Sequence, residues 1–409
     1  TASPSSSTSL TPGIDYQELC EWTTNLRRTK EKWAQVRFFL VIFVGRATSR
    51  CSREKTMIRK TANKDLTSHN TFGMKVKCDK FIEYDSVADL IDIEFSTLPS
   101  PVKHIGGGSN LLFTGDFHGT VLHSAIKFIY ELPSDDALYQ SDDEVLVSVG
   151  AGILFDDFCR WAAERGLWGA ENLSLIPGET GAAAVQNIGA YGAEISDIIR
   201  QVYCYDTVEE EFVHFGVEEC GYGYRTSAFK SGKMKGRYVV TTVVLALTRT
   251  KNPKLDYGHI RTALSGITGI PAESLESSDA LTPRVVRDAV ISIRRSKLPD
   301  VEQIGSAGSF FKNPVVEKKV FRKIQEAHAD VPHYVTDGGV KIPAAWLIEQ
   351  CGWKGRTQGN AGVYEKQPLV IVNATGSASP GEIIDLKNDI TASVKERFGI
   401  TLEPEVEII

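Results

Sequence analysis

The stretch Gly169–Asp197 reads GAENLSLIPGETGAAAVQNIGAYGAEISD, and the rest of the chain is organised around it. Glycine and alanine dominate after Pro177, where Gln186 and Asn187 are the only amides. Glycine lets the backbone take conformations and approach a ligand at distances that other residues do not allow. Neither a packed helix nor an amphipathic strand explains this pattern. We therefore expect residues 169–197, here called the cradle, to be irregular and to surround a ligand. The alternative is a tight packing junction made of small-residue turns.

A second glycine cluster, Gly106-Gly107-Gly108-Ser109-Asn110, follows a predicted strand at Val102–Ile105. Successive backbone N–H groups in such a turn can converge on a pyrophosphate. The cluster is not a Walker motif, because no Gly-Lys-Ser/Thr follows it, and it lacks the GxGxxG spacing of a Rossmann turn. A glycine hairpin turn is the alternative interpretation.

Five sequence blocks, in this order, resemble the UDP-N-acetylenolpyruvoylglucosamine reductase family, FAD enzymes that finish the muramic acid unit of the bacterial cell wall. They are GGGSNLLF at Gly106–Phe113, IPGETGAAAVQNIGAYGAE at Ile176–Glu194, CGYGYRTSAFK at Cys220–Lys230, GSAGSFFKNP at Gly305–Pro314 and LEPEV at Leu402–Val406. SHNTFG at Ser68–Gly73 is a sixth. Each block alone is weak evidence for the family, but the occurrence of all the blocks in the family's order makes the match specific. The resemblance covers Leu66–Ile409.

The resemblance implies an α+β fold, with an FAD-binding domain of the vanillyl-alcohol-oxidase type and a smaller α+β substrate-binding domain. The expected limits are 1–60 for a disordered or targeting extension, 61–298 for the FAD-binding domain, to which 400–409 returns, and 299–399 for the substrate-binding domain. The boundary at 298 follows from Lys297-Leu298-Pro299, because the proline ends a predicted helix.

Hydrophobic periodicity and capping residues predict the elements between the blocks. Strands are expected at Lys80–Tyr84, Val102–Ile105, Glu144–Val149, Gln201–Tyr205, Glu211–Phe215, Tyr238–Thr248, Leu369–Asn373 and Thr401–Ile408. Helices are expected from Asp85 onward and at Leu154–Arg165, Arg284–Ser296, Glu317–Ala327, Pro343–Cys351 and Pro380–Phe398.

The resemblance implies one non-covalent FAD, held by both glycine-rich segments, and NADPH as co-substrate. The cofactor-binding residues would be Gly106, Gly107, Gly108, Ser109, Asn110, Ile176, Pro177, Gly178, Gly181, Gln186, Asn187 and Gly189.

Reduction of an enol ether needs a hydride donor, a group that holds the conjugated carboxylate, and an acid that protonates the resulting carbanion. By resemblance, Arg225 holds the carboxylate and Ser309 is the acid, while Glu405 orients water or the enolate and holds the other two in place. An arginine suits the first task because it pairs with a carboxylate through two parallel hydrogen bonds. Taken alone, each residue is more often an exposed arginine, a turn serine or a solvated strand carboxylate.

By resemblance, further residues line the path of UDP-N-acetylglucosamine enolpyruvate or of NADPH. They are Tyr191, Tyr224, Tyr257, Lys297, Asn313, Tyr334, Lys354 and Gln367. Tyr334 matches a loop that closes over bound substrate in type I members. Two departures from the family pattern, Ser306 for an amide and Lys366 before Gln367, remove no catalytic group.

Composition excludes several classes of protein. The chain has 409 residues, a net charge of −6 and a pI near 5.8, so it lacks the basic footprint of nucleic-acid-binding proteins. Its seven cysteines form no CxxC pair and its eight histidines show no HExxH spacing, so neither a disulfide framework nor a metal site is expected. The apolar run Phe38–Val44 is far shorter than the ~20 residues of a membrane-spanning helix, so no membrane partner is expected.

Residues 1–60 are rich in Ser, Thr, Lys and Arg, which is typical of disordered or targeting segments. Because the first methionine is Met57, three alternatives stay open: a transit-like extension, a true start at Met57, or a disordered tail. We expect a cytoplasmic monomer, or a protein of the plastid stroma if residues 1–56 are a transit peptide.

Two other functions are compatible with parts of the sequence. A flavin oxidoreductase of the same fold could act on another substrate, but it would need neither the Arg225–Ser309–Glu405 set nor a diphosphate-binding domain. A non-enzymatic flavin-binding or UDP-sugar-binding protein would not need intact catalytic positions. The sequence therefore favours the NADPH-dependent reductase.

Overall fold

The structure, a computed structural model, describes residues 58–257, 259–336 and 338–409. Residues 1–57 of the predicted extension lie outside the described residues. The first strand begins at Arg59, inside the range predicted for that extension. No helix in the described ranges is both long and apolar enough to cross a membrane.

The first sheet carries the glycine cluster at the end of one of its strands. In spatial order its four strands are Arg59–Asp65, Lys77–Tyr84, Phe117–Ser124 and Val102–Ile105. The first pair is antiparallel and the other two pairs are parallel. Ligands bind in parallel sheets beyond the carboxyl ends of the strands, and Gly106 follows Ile105 at that end.

The second sheet is antiparallel and packs against the ligand-cradling segment. Its five strands, in spatial order, are Glu211–Gly216, Ile199–Asp206, Tyr238–Thr248, Glu144–Gly150 and Ile129–Glu131. A cluster of valines and leucines on this sheet packs against the helix Phe155–Glu164 and against Ala183 and Ala184 of the cradle. Residues Ile260–Thr268 and Pro283–Lys297 form two helices that pack on each other.

The carboxyl-terminal region has a four-stranded antiparallel sheet and a small three-stranded one. In spatial order, the strands of the larger sheet are Gly305–Ser309, Val370–Asn373, Ala361–Val363 and Thr357–Gln358. The strands of the smaller sheet, in the same order, are Val315–Val316, Gly339–Lys341 and Tyr334–Thr336. The helices of this region are Lys318–Ala327, Ala344–Gln350 and Pro380–Phe398.

The core of the carboxyl-terminal region is continuous with that of the first sheet. Phe72 and Val121 belong to the same buried cluster as Phe310, Ile342 and Ile390. The last strand, Glu407–Ile408, pairs in parallel with Leu111–Leu112, directly after the glycine cluster. The chain end therefore returns to the glycine cluster. Two further two-residue strands, Gly189–Ala190 and Ala193–Glu194, form a hairpin within the cradle.

Most predicted strands and helices are confirmed to within a few residues, but three predictions are wrong. The helix from Asp85 is only the 3₁₀ turn Ala88–Leu90. The cradle is not wholly irregular, because Thr180–Gln186 forms a short α-helix. The terminal strand is limited to Glu407–Ile408, and Pro404 forms only an isolated bridge to Phe311.

Candidate active site

Arg225 lies in a tight turn closed by two hydrogen bonds between the backbones of Gly223 and Thr226. Its φ of +55° is in the left-handed region, which costs energy for a residue with a side chain. Two nearby cradle residues, Asn187 and Tyr191, share this feature with φ of +48° and +50°. Strained non-glycine backbone concentrates at functional sites, where the surrounding structure holds it in place.

The guanidinium of Arg225 is held by partners from two other parts of the chain. Its Nε donates to Oε1 of Glu405 at 2.8 Å, and its two terminal nitrogens donate to the carbonyl of Gly189 at 2.6 Å and to that of Asn187 at 3.4 Å. A guanidinium has five N–H donors. The three bonds use three of these donors, and Oε1 of Glu194 lies 4.0 Å from a terminal nitrogen. Among the described residues, two N–H groups of Arg225 therefore remain without a hydrogen bond and could serve a ligand carboxylate.

Glu405 is largely buried, with 14% of its side chain exposed. Burial raises the pKa of this carboxyl above its usual value, while the charge of Arg225 opposes that rise. The Glu405 backbone is fixed on both sides, because its N–H donates to the carbonyl of Phe310 at 2.8 Å and its carbonyl accepts from Nδ2 of Asn110 at 3.2 Å. Asn110 thus connects the glycine cluster to the Arg225–Glu405 pair.

Ser309 is the last residue of the strand Gly305–Ser309. The strand is irregular between Ser306 and Ser309, where Gly308 has a φ of +69°. Ser309 directly precedes Phe310, whose carbonyl holds the backbone of Glu405. Within the described residues, the half-buried Ser309 hydroxyl makes no hydrogen bond, so it is available to a ligand.

Lys230 and Lys341 belong to this site and were missed by sequence reasoning. The Nζ of Lys230 donates to Oε1 of Gln186 at 2.6 Å and to the carbonyl of Arg225 at 3.2 Å, and burial lowers the pKa of this lysine. The Nζ of Lys341 lies 4.9 Å from the ring centre of Tyr224. Lys230 stands within the quoted block CGYGYRTSAFK, which was the available signal.

Several predicted substrate residues lie close to one another. Nδ2 of Asn313 donates to the hydroxyl of Tyr224 at 3.3 Å, and the rings of Tyr191 and Tyr257 are 6.5 Å apart. Tyr334 is 51% exposed and lies beside Lys341, whose Nζ is 5.9 Å from its ring centre. Burial raises the pKa of each of the phenols Tyr191, Tyr224 and Tyr257, so all three stay protonated near neutral pH.

The structure does not bring the remaining three predicted substrate residues into contact with these. Lys297 ends its helix, Lys354 pairs with Glu349 at 2.7 Å, and the side-chain oxygen of Gln367 accepts from the backbone of Leu369 at 3.4 Å. Their roles stay predictions. In the part of the chain that the structure describes, no group of three His, Cys, Asp or Glu side chains could hold a metal ion.

The predicted cofactor residues lie on two chain segments that meet, with His69 packed against one of them. A Cβ at Gly108 would lie 1.9 Å from the carbonyl oxygen of His69, and one at Gly178 would lie 2.7 Å from Oγ of Ser109. Ser109 also donates to the carbonyl of Pro177 at 3.0 Å. These contacts require glycine and bring the two glycine-rich segments together.

Two buried polar atoms beside these segments have no hydrogen-bond partner among the described residues: Oγ1 of Thr71 and Nε2 of Gln186. Thr71 donates its backbone N–H to the carbonyl of Gly108, and Gln186 ends the cradle helix. A buried polar atom without a partner costs free energy unless a ligand or water satisfies it. The segments therefore have the glycines and the spare polar atoms that suit a cofactor with a pyrophosphate and a polar ring.

Two family models match the chain. One, described as the carboxyl-terminal domain of UDP-N-acetylenolpyruvoylglucosamine reductase, matches residues 299–409. The other, described as an FAD binding domain, matches residues 84–215 and so includes the glycine cluster and the cradle. They support the predicted α+β class with an FAD-binding domain.

Reductases with this family name match this chain over nearly the whole length of each reductase. The UDP-N-acetylenolpyruvoylglucosamine reductase of Bacteroides fragilis YCH46 is 45% identical over 346 residues, 84% of this chain and 98% of the relative. That of Pseudomonas putida KT2440 is 42% identical over 345 residues, 83% and 96% of the two chains. The crystal structure of the Thermus caldophilus enzyme has the same fold, with a TM-score of 0.57 at 22% identity, over 87% of this chain and 99% of that one. The chain belongs to the UDP-N-acetylenolpyruvoylglucosamine reductase family and is an FAD-dependent oxidoreductase.

Proposed function

We propose that this protein reduces UDP-N-acetylglucosamine enolpyruvate to UDP-N-acetylmuramate with NADPH, and that Arg225, Ser309 and Glu405 are its catalytic residues. The observation that carries the proposal is the Arg225–Glu405 pair at 2.8 Å, with Glu405 fixed by the residue that follows Ser309. FAD, held by the glycine cluster and the cradle, would supply the hydride chemistry.

The three residues divide the remaining work. The spare N–H groups of Arg225 bind the substrate carboxylate and stabilise the negative charge that spreads onto it when hydride adds to the terminal alkene carbon. The hydroxyl of Ser309 then gives its proton to the carbon that bears the ether oxygen. Glu405 orients the guanidinium through Nε. The double bond is thereby saturated, and the proton lost by Ser309 is replaced from solvent.

Most of the proposed cofactor residues fall into two groups. The glycine cluster and Pro177–Gly181 would hold the pyrophosphate, because their backbones approach closely and offer N–H groups. Gln186, with its unpartnered Nε2, would hydrogen-bond a polar edge of the cofactor. We propose that FAD is held without a covalent bond.

Location and assembly are also proposals. The proposed product implies a role for this protein in peptidoglycan synthesis, and thereby in cell shape and cell division. A cytoplasmic monomer fits a reaction between small, charged, water-soluble substrates. Residues 1–56, which would decide between cytoplasm and plastid stroma, lie outside the described residues.

The proposed reaction is tested by adding the enolpyruvyl sugar nucleotide to the purified protein in the presence of NADPH. We expect NADPH oxidation in equal amounts with formation of UDP-N-acetylmuramate. With deuterated water as solvent, the product should carry one non-exchangeable deuterium at the carbon next to the carboxylate, because that proton comes through Ser309 from solvent. NADPH oxidation that does not depend on the sugar nucleotide would instead favour a flavin enzyme with another substrate.

Replacing Tyr334 by alanine should weaken binding of the sugar nucleotide by about tenfold, which is the effect of losing roughly 1.4 kcal/mol of contact energy. The reason is that Tyr334 is exposed and lies beside Lys341 at the edge of the site, where a closing loop would contact substrate. FAD content should not change. Titration of the oxidised protein with substrate, followed by flavin absorbance, measures both.

The adjacent Val335 provides a control for this variant. It is 74% exposed and follows Tyr334 in the same strand, so its side chain points to the opposite face. Val335→Ala should bind the sugar nucleotide as the wild type does. Equal affinities for wild type and Tyr334→Ala would show that this loop makes no contact with bound substrate.

A further inference from the structure

His123 lies near the carboxyl end of the strand Phe117–Ser124, between two carboxylates. Its Nδ1 is 2.8 Å from Oε2 of Glu83, and its Nε2 is 3.0 Å from Oε1 of Glu179. The residue is 8% exposed. Both ring nitrogens can donate at once only when the imidazole is protonated. The geometry is therefore that of a buried imidazolium bridging two anions.

Glu179 lies in the cradle, between Gly178 and the helix that begins at Thr180. It is 7% exposed. Its carboxylate packs against the glycine cluster, because Oε2 lies 3.3 Å from the position of a Cβ at Gly106 and Oε1 lies 4.0 Å from one at Gly107. A negative charge here would repel a pyrophosphate bound on the glycine cluster unless a cation neutralised it.

The charges around His123 favour the protonated ring. Burial alone lowers the pKa of His123, but the hydrogen bonds and charges of Glu179 and Glu83 outweigh burial and raise it above its usual value. Glu83 has a second partner in Arg59, whose Nε donates to it at 2.8 Å. Among the described residues, His123 is therefore the cation that pairs with Glu179.

The other titratable groups near His123 do not replace it as a cation. The ring of His69 is 5.4 Å from that of His123, and burial lowers the pKa of His69. Burial lowers the pKa of His104 to about 3, so this ring is neutral at physiological pH. The Nζ of Lys64 lies 5.5 Å from the ring centre of Phe81, and its charge contributes to lowering the pKa of His69.

We propose that His123 is a positioning residue for the cofactor, which holds Glu179 against the glycine cluster and neutralises it, so that FAD affinity falls when His123 loses its proton. The inference rests on the FAD-binding function and concerns affinity rather than the reaction. Its sign follows from the geometry, in which two carboxylates hold the protonated ring, and from the raised pKa: the charge of His123 is lost as the pH rises through that pKa.

The test is titration of the full-length protein, stripped of flavin, with FAD between about pH 6 and about pH 9. Flavin fluorescence gives the dissociation constant, and circular dichroism checks that each sample is folded. For the wild type, the dissociation constant should rise about tenfold or more across this range. His123→Gln should bind FAD about tenfold or more weakly at neutral pH, with little further change at high pH. Glu179→Gln should show little dependence on pH, because no buried anion needs neutralising.

Two further variants make the result specific. The double variant His123→Gln with Glu179→Gln should recover most of the affinity lost in His123→Gln alone, since the unpaired carboxylate is gone. His118→Gln is the matched control, because His118 lies on the same strand but is 82% exposed in its side chain. It should behave as the wild type does.

Equal FAD affinity and equal pH dependence in the wild type and His123→Gln would overturn this inference while leaving the cofactor assignment intact. Failure of the double variant to recover affinity would also overturn it, because His123 would then act only as a packing residue. A folded wild-type protein that binds no FAD at any pH would overturn the cofactor assignment together with the inference.

Discussion

Ser309→Ala should slow reoxidation of the reduced flavin by the sugar nucleotide by a factor on the order of 10²–10⁴, the usual contribution of a positioned general acid. Reduction of the flavin by NADPH should stay near the wild-type rate, because that hydride transfer needs no proton from Ser309. The Ser309 hydroxyl makes no hydrogen bond within the described residues, so its loss should have little effect on the free energy of unfolding. Stopped-flow absorbance separates the two half-reactions.

Ser306→Ala is the matched control for Ser309→Ala. It makes the same deletion of one oxygen atom in the same strand, three residues earlier, at a position that is 1% exposed. Its reoxidation rate should stay within a few-fold of the wild type. Ser309→Cys should recover part of the rate, since a thiol can also donate a proton. If Ser309→Ala is reoxidised as fast as the wild type, Ser309 is not the acid, and Glu405 or an ordered water takes its place as the candidate.

Elements whose local signals agree could be predicted from the sequence. The helix Pro380–Phe398 was predicted to the residue, because Ser379 caps it with Glu382 in a capping box, Pro380 starts it and Gly399 ends it at a φ of +69°. The strand Tyr238–Thr248 was predicted to the residue from its run of valines.

The predicted helix from Asp85 failed for a local reason. Its buried apolar residues Val87, Leu90 and Ile93 recur every three positions, which suits a 3₁₀ turn as well as a helix. In addition, Oδ2 of Asp89 accepts from the backbone N–H groups of Asp85 and Ser86. These bonds satisfy N–H groups that precede the turn, and beyond them the backbone bonds join residues three apart, as in a 3₁₀ turn.

The cradle helix and the site contacts depend on distant parts of the chain. The cradle helix needs glycine at position 181, because a Cβ there would lie 2.8 Å from the Cβ of Ala151. The small residues of this helix therefore allow close packing beside the second sheet. Arg225 and Glu405 are 180 positions apart, and periodicity carries no information on such a pair. Family resemblance supplied their pairing. The link between His123 and Glu179 had no sequence signal, because each residue alone is ordinary.

Arg225→Lys should lower kcat/KM by a factor on the order of 10²–10³, the usual effect of removing one donor that stabilises developing negative charge. Lysine keeps the charge but not the planar fork, which here donates to Glu405, Gly189 and Asn187 at once. An ammonium drawn toward Glu405 would have fewer donors left for the substrate carboxylate. The effect should appear in both substrate affinity and flavin reoxidation, with FAD content unchanged.

Arg200→Lys is the matched control, because Arg200 pairs with Glu144 on the second sheet and is buried to a similar degree, with 14% of its side chain exposed against 17% for Arg225. It should keep full activity.

The pH profile adds a separate check on the pairing of Arg225 with Glu405. Burial already raises the pKa of Glu405 and the Arg225 charge opposes the rise, so a less well placed ammonium should let this pKa rise further. The acid limb of reoxidation, where Glu405 takes up a proton as the pH falls, should therefore move to higher pH in Arg225→Lys. An acid limb at the same pH in both proteins would show that Glu405 does not act through Arg225.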